Sequence, residues 1–294
     1  MQCWFTNNGQ YGADILDKVV NRFQPDVLLT IGDMWNLWYI TDGSICKTRR
    51  WFQWCSYIAV DGEPINGGLP PALVPIIEDV DIPVAYTEYA RQAVLKSVSD
   101  PETRRKIRTI YHGVDTNIFK PIDPAERRQL REKFGIGDRF MFLTVSRNQS
   151  RKNIPELLRS WKIFSELPEA NDKVVLWPHM NFNDPQGWKI QELLQVIRLN
   201  NHSIMYYQQG AYGEHERLLI PETELAKLYQ IADAFVLISG EGFGLPTFEA
   251  MATGLPCVLL DYAASSELGA AGRAELVPAD GQFTWTGGHL TQRP

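Results

Sequence analysis

Residues 239–261 read SGEGFGLPTFEAMATGLPCVLLD, and the order of residue types in them settles the fold class. The apolar run Ala234–Ile238 (AFVLI) just ahead has strand length and ends where the glycines begin. Gly240–Gly244 makes a glycine-rich turn, Pro246 suits the first turn of a helix, and Gly254 suits its end. Pro256–Leu260 is a second apolar run of strand length. Strand, tight turn, short helix and strand form the repeat of a parallel α/β sheet. Small residues in the turn let backbone approach a ligand closely. The helix start offers N–H groups without helical partners and the positive end of a dipole, which suits a phosphate. Glu241 stands at the strand tip and Glu249 early in the helix, so both carboxylates can face one crevice. Carboxylates accept hydrogen bonds from sugar or ribose hydroxyls. Acids that complement the helix dipole are the plainer reading; the glycine turn and the two Glu taken together favour a ligand site.

The same alternation extends outward from Phe140. Phe140–Val145, Val174–Trp177 and Ser203–Tyr207 read as strands, and Pro155–Phe164, Trp188–Leu199 and Glu222–Ile231 as helices, with Asn153 as an N-cap. Such a pattern predicts a mostly parallel sheet covered on both faces. The first 118 residues are less regular. Helices are expected over Tyr11–Phe23 and Glu88–Ser97, and strands over Asp26–Ile31, Ile82–Tyr86 and Ile107–Tyr111, with an aromatic segment Trp51–Val60 ending in a strand. Lys120–Arg139 is charge-rich and Pro-bounded, a linker with a surface helix. The expected domains are 1–118 and 119–294.

Open α/β sheets bind ligands outside the carboxyl ends of their strands. SRNQSRKN (Ser146–Asn153) leaves the strand Phe140–Val145 there. Its Arg147 and Lys152 can neutralise a diphosphate and stabilise it as a leaving group; a solvated basic loop is the plainer alternative. Asp33, Trp35 and Trp38 follow the strand Asp26–Ile31 and are placed to orient a second substrate, although a strand-end Asp also commonly caps the next turn. DGEPINGG (Asp61–Gly68) lines the same edge or forms a turn.

Composition sets the outer bounds. The chain has 294 residues, 44% hydrophobic and 22% charged, which is globular rather than disordered. At roughly 100–200 residues per domain, two domains are expected. A net charge of −6 argues against a nucleic-acid partner, because phosphate contacts need a surplus of Lys and Arg. No apolar run approaches the roughly 20 residues that span a bilayer, and no basic-then-apolar signal opens the sequence. Cys3, Cys46, Cys55 and Cys257 form no C-x-x-C pair, which points to a reducing, cytoplasmic compartment. Five of the nine Trp fall within the first 54 residues, where they fill a core or an interface, or stack on sugar rings. The basic run Arg104–Arg108 reads as a solvated face. His112, His179, His202, His215 and His289 show no metal-ligand spacing, and Asp79-Val80-Asp81 precedes a strand rather than following one. No metal site is expected.

EGFGLPTFEAMATGLP (Glu241–Pro256) closely resembles the signature of the retaining glycosyltransferases of family 4, whose fold is GT-B. Arg147 and Lys152 match that family's phosphate-binding pair in order and spacing. Glu224–Ser239 is similar to the segment before the signature, and YHGVDTNIFKP (Tyr111–Pro121) resembles the junction into the C-terminal domain. The resemblance implies two Rossmann-like α/β domains whose parallel sheets face a cleft. It implies that Glu249 holds the ribose hydroxyls of a nucleotide and Glu241 contacts the transferred sugar. Arg147 and Lys152 would bind the diphosphate, with backbone N–H groups of Gly242, Phe243, Gly244 and Leu245. Transfer would retain the anomeric configuration and need no cofactor or bound metal. The donor would be a nucleotide-diphosphate sugar. The acceptor would be a carbohydrate, a lipid-linked or another small molecule, met on the side of Asp33 and Trp35. Tyr206 and Tyr207 are the candidates for base contacts. Peripheral membrane contact enters the same picture, because many of the family use lipid-linked acceptors.

The opening FTNNGQYGADILDKVVNRF reads as mid-domain sequence, with Gly9 and Gly12 not preceded by a full strand. The expectation is therefore a fragment with an incomplete N-terminal domain and without the C-terminal helices usual in the family. A sugar phosphorylase or synthase on the same scaffold, and a non-catalytic nucleotide-binding remnant, are the alternatives.

Overall fold

The computed structural model describes residues 5–6, 11–42, 51–206, 220–279, 283–284 and 291–292. Two compact units divide it between His112 and Gly113, six residues before the expected boundary; Glu241–Phe243 group with the first unit.

The first unit runs α1 (Leu16–Phe23), β1 (Val27–Gly32), α2 (Trp38–Asp42), β2 (Gln53–Ile58), α3 (Val74–Glu78), β3 (Ile82–Ala85), α4 (Glu88–Ser97), α5 (Pro101–Lys106) and β4 (Arg108–Thr109). Its four strands pair in sequence order, all parallel. Side chains alternate across a strand, and here the two faces differ sharply. Leu28, Trp54 and Ile58 point to a core shared with Val20 of α1, Ile77 of α3 and Ala90, Ala93 and Val94 of α4. Trp54 is fully buried, its indole N–H donating to Thr30 Oγ1 (2.9 Å) and its backbone N–H to Asp81 Oδ2 (2.8 Å). That second bond gives Asp79-Val80-Asp81 a structural task. On the opposite face Val27, Leu29 and Ile31 are 51%, 58% and 65% exposed. α1 begins at Leu16 rather than Tyr11, because Tyr11 and Gly12 both have positive φ and residues 11–15 form turns. The strand expected over Ile107–Tyr111 shortens to Arg108–Thr109.

The second unit runs α6 (Pro124–Lys133), β5 (Phe140–Val145), α7 (Ile154–Ser165), β6 (Val174–His179), α8 (Ile190–Ile197), α9 (Glu222–Ile231), β7 (Ala234–Leu237), α10 (Leu245–Ala252), β8 (Cys257–Asp261), α11 (Ala264–Gly269) and β9 (Glu275–Pro278). The strands form one parallel sheet in the order β6-β5-β7-β8-β9. This sheet is covered on both faces. Met141, Leu143, Phe235 and Leu259 join one apolar cluster with α9 and α10, and Phe142 and Leu176 join another with Trp161 of α7 and Ile190 of α8.

Three expectations change in this unit. The strand over Ser203–Tyr207 reduces to a single bridge, Ile204 to Leu176, after a 3₁₀ turn at Asn201–Ser203; Tyr207 lies outside the described residues. Asn153 occupies the cap position of α7 in the left-handed region (φ 52°) and makes no side-chain capping bond. The helix α6 is not a purely surface element. Arg127 and Arg131 reach Asp233 at 2.7 and 2.9 Å, and Asp233 also accepts from the backbone N–H of Met141 at 2.7 Å. Among the described residues no helix is long and apolar enough to cross a membrane.

Candidate active site

In the second unit the carboxyl ends of β5, β6 and β7 adjoin, because these strands are neighbours in a parallel sheet. The residues singled out from sequence leave those ends. Lys152 is buried and sits in a 3₁₀ turn, Ser150–Lys152. Arg147 is half exposed and held by a carboxylate, its Nε donating to Asp184 Oδ2 (2.7 Å) and its Nη2 to Gln186 Oε1 (3.2 Å). The Arg147 hydrogen bond holds the Asp184 carboxyl below the usual range against the effect of burial, with help from the Gln186 N–H. A charge-assisted pair of this kind fixes the plane of the guanidinium and offsets part of its charge.

Asn148 organises the same loop. Its fully buried amide donates to the Asn181 (3.2 Å) and Trp188 (2.8 Å) carbonyls and accepts from the Trp188 N–H (2.9 Å). Gly187 packs against it so closely that a Cβ would stand 2.4 Å from the Asn148 carbonyl oxygen. Arg151 donates to the Gly240 carbonyl at 3.1 Å, tying the loop after β5 to the glycine turn after β7. Asp184, Asn148 and Arg151 were not singled out from sequence. Their signal was present, since NFNDPQG (Asn181–Gly187) leaves the carboxyl end of β6.

The glycine turn leads into α10 through Gly244, whose φ of 89° favours a residue without Cβ. Glu241 is buried at 8% exposure, Gly242 and Phe243 are buried, and Leu245 is exposed. Thr247, in the first turn of α10, is fully buried. Glu249 is half-buried in the second turn, and Tyr229 of α9 donates its hydroxyl to Glu249 Oε2 at 2.7 Å. Burial pushes the Glu249 carboxyl up; the Tyr229 bond opposes this and Glu222 adds to it. Burial, first, and the adjacent Glu249 raise the Tyr229 phenol well above its ordinary value, so it remains a donor. His179, at the end of β6, is pushed by burial down to about 4 and is neutral at pH 7.

In the first unit Asp33 follows β1 and makes no side-chain capping bond to the 3₁₀ turn Met34–Asn36. Trp35 and Trp38 are exposed beside it. Tyr206 is partly exposed, its ring 4.6 Å from that of Phe182. His215 and His289, with Trp4 and Gly9, lie outside the described residues. Among the described residues there is no group of three or more His, Cys, Asp or Glu placed to hold a metal.

Residues 205–284 match the family model described as glycosyl transferases group 1. The similarity to that family covers this segment of the chain. It is 29% identical over 197 residues to the GDP-mannose-dependent α-(1-6)-phosphatidylinositol monomannoside mannosyltransferase of Mycolicibacterium smegmatis, covering 64% of this chain and 46% of the relative. It is 27% identical over 158 residues to mannosylfructose-phosphate synthase of Agrobacterium fabrum, covering 53% of this chain and 33% of the relative. The chain thus spans a third to about half the length of these two relatives. The fold resembles that of Anabaena Alr3699/HepE in complex with UDP and glucose, at 18% identity and TM-score 0.69, over 93% of this chain and 71% of that one. It also resembles the glycosyltransferase from Rickettsia africae, at 17% identity and TM-score 0.64, over 96% of this chain and 70% of that one. The fold is GT-B in type, with two Rossmann-like α/β domains, each on a parallel sheet.

Proposed function

We propose that this chain is the working part of a retaining glycosyltransferase that moves a sugar from a nucleotide-diphosphate donor to an acceptor hydroxyl. The observation that carries the reading is the pinned glycine turn. Gly244 turns the chain into α10 in the left-handed region, and Arg151 holds Gly240 beside the loop that bears Arg147 and Lys152. A fixed array of N–H groups and cations is what a diphosphate needs. Glu249, oriented by Tyr229, accepts from the ribose hydroxyls, and Glu241 contacts the sugar. In the transfer the bond from the anomeric carbon to the diphosphate breaks, and Arg147 and Lys152 take up the charge. The acceptor oxygen bonds to the same face, and its proton passes to the leaving phosphate oxygen. The protein's part is positioning and charge stabilisation, without a bound metal or cofactor. The mannosyltransferase and UDP-bound relatives support a hexose donor. Cys55 and Cys257 are unpaired thiols, as a cytoplasmic setting maintains. The acceptor, whether free or lipid-linked at a membrane surface, meets the chain on the side of Asp33 and Trp35.

The test is release of UDP or GDP from their hexose conjugates in the presence of hydroxyl acceptors and chelator. The expected result is turnover that is lost in Lys152→Ala. Turnover that appears only on addition of Mg or Mn contradicts the metal-free step, and a Lys152→Ala variant as active as the parent contradicts the site.

A further inference from the structure

Three of the five residues in the turn Gly240–Gly244 are glycine, so few side chains hold its backbone in one shape. Glu241 is the residue proposed to touch the transferred sugar. Phe243 is then the turn's one apolar anchor, and it is buried at 4% exposure. Glu241–Phe243 group with the first compact unit, and the rings around Phe243 in that unit show why. Its ring packs edge-on against His112, with centroids 4.8 Å apart, and tilted against Tyr111 at 6.4 Å. Gly242 completes the seat. A Cβ there would stand 2.8 Å from Asp61 Oδ1, 3.2 Å from Ala59 Cβ and 3.5 Å from the Val60 nitrogen, so the tip of the turn lies directly on the segment after β2.

The seat is itself held. His112 packs edge-on against Tyr86 (4.3 Å) and Tyr57 (4.9 Å), and these two rings meet each other at 4.3 Å. Edge-to-face contacts of this kind fix ring orientation as well as separation. Tyr57 lies in β2 and Tyr86 follows β3, its partner strand. The Tyr57 hydroxyl donates to the Ile110 carbonyl at 2.7 Å, and the Ile110 N–H donates to the Ala85 carbonyl at 3.1 Å. The segment that carries His112 is thus tied to both strands. Burial lowers His112, so at neutral pH its ring is uncharged and packs as an aromatic.

We propose that Phe243 and His112 are positioning residues: the cluster of Tyr57, Tyr86 and His112 seats the Phe243 ring and thereby aims Glu241 at the transferred sugar. The proposal rests on the proposed function and adds the residues that set its sugar contact. Only Gly242 separates Phe243 from Glu241, and its close approach to Asp61 leaves the tip no slack on that side. Loss of the seat therefore acts on the sugar and on the reacting geometry. The nucleotide keeps Glu249, Arg147 and Lys152 in the same reading. Misplacement of a positioned group by about 1 Å can cost on the order of a hundredfold in rate.

The experiment is calorimetric titration of the 294-residue chain with UDP, GDP, UDP-glucose and GDP-mannose, alongside the rate of nucleotide release from the two conjugates. Phe243→Ala and His112→Ala should each weaken the preferred conjugate about tenfold relative to its nucleotide, and lower kcat by about tenfold to a hundredfold. The double variant should be no worse than the poorer single one, because the two rings act as a unit. His112→Phe, which keeps a ring, should restore most of both. If circular dichroism shows the alanine variants unfolded, Gly242→Ala is the probe. It shifts the tip without removing a ring, and the same change in ratio is expected. Conjugate and nucleotide weakened equally, or a His112→Phe variant as impaired as His112→Ala, overturns the inference. A parent that binds no nucleotide contradicts the proposed function and takes this inference with it. A parent that binds and turns over, with every variant matching it, contradicts this inference alone.

Discussion

In the second unit β5 sends Met141 and Leu143 into one apolar cluster and Phe142 into another, whereas in the first unit β1 sends Leu28 inward and leaves Leu29 and Ile31 in solvent. The two sheets are alike in being wholly parallel, although their strand orders differ. They differ in what surrounds them. Parallel sheets are normally buried on both faces, and only the second follows that rule among the described residues. The described residues just past their strand ends differ as well. Among the described residues, the loop after β5 carries Arg147, Arg151 and Lys152, and Asp33 and Asp61 follow β1 and β2. The fold alone does not decide which ligand binds where; the residues just past the strand ends do.

The comparison can be broken most forcefully at the ion-paired cluster that anchors α6 in the second unit. Asp233→Ala leaves Arg127 and Arg131 without their carboxylate and is expected to destabilise the protein by about 3 kcal/mol, read from urea midpoints. Burial raises the Asp233 carboxyl, but the Met141 N–H and the two Arg outweigh it, and the net shift is downward. A depressed acid contributes stability that is present above its unfolded value and lost as pH falls through its folded one. The parent should therefore lose stability on acidification below about pH 4, and the variant should lose less over the same range. Identical acid profiles would remove this cluster from the account.

Next comes the basic edge. Lys152→Ala and Arg147→Ala should each cost about 2–4 kcal/mol of transition-state stabilisation, measured as kcat/KM. Arg147 is partly offset by Asp184, so of the two it should show the smaller loss. A larger loss at Arg147 would mean that Asp184 orients the cation without weakening it.

Tyr229→Phe should weaken nucleotide binding by about 1.5 kcal/mol, since it removes a hydrogen bond to a carboxylate. Glu249 is raised by burial, so nucleotide affinity should fall as pH drops through its range and the ribose acceptor becomes protonated. In Tyr229→Phe that fall should begin at higher pH, because the bond to Tyr229 is what opposes the rise. A pH profile unchanged in the variant would contradict the pairing.

The smallest effect tests the uncovered face. Ile31→Lys should change stability by no more than about 0.5 kcal/mol, as surface substitutions do. A loss of several kcal/mol would show that this face is covered in solution.

Much of this was legible in the sequence, and what was not has a physical pattern. β5, α4 and α9 fall on the expected residues because their apolar spacing and flanking turns agree. The strand expected over Ser203–Tyr207 fails because four apolar or aromatic residues in a row satisfy a strand pattern without showing whether a neighbour is available to pair. Asn153 has the residue type of a cap but takes the left-handed conformation, which Asn tolerates, and the sequence does not distinguish the two uses. Arg127 and Arg131 read as surface charges, and their partner lies about a hundred residues on, at Asp233. Separations of 37 and 20 residues likewise hide Asp184 from Arg147 and Tyr229 from Glu249. Motif residues stand out by local spacing, whereas those that orient them come from other strands and helices.

The central claim is that the edge formed by Arg147, Lys152, the glycine turn and Glu249 binds a nucleotide. The direct measurement is a thermal-shift titration of the 294-residue chain with UDP, GDP and ADP, with Glu249→Ala as control. One nucleotide should stabilise the protein, by about 2.7 kcal/mol at a hundred times its dissociation constant, and the shift should disappear in the variant. No shift with any of the three, or an equal shift in Glu249→Ala, would contradict it.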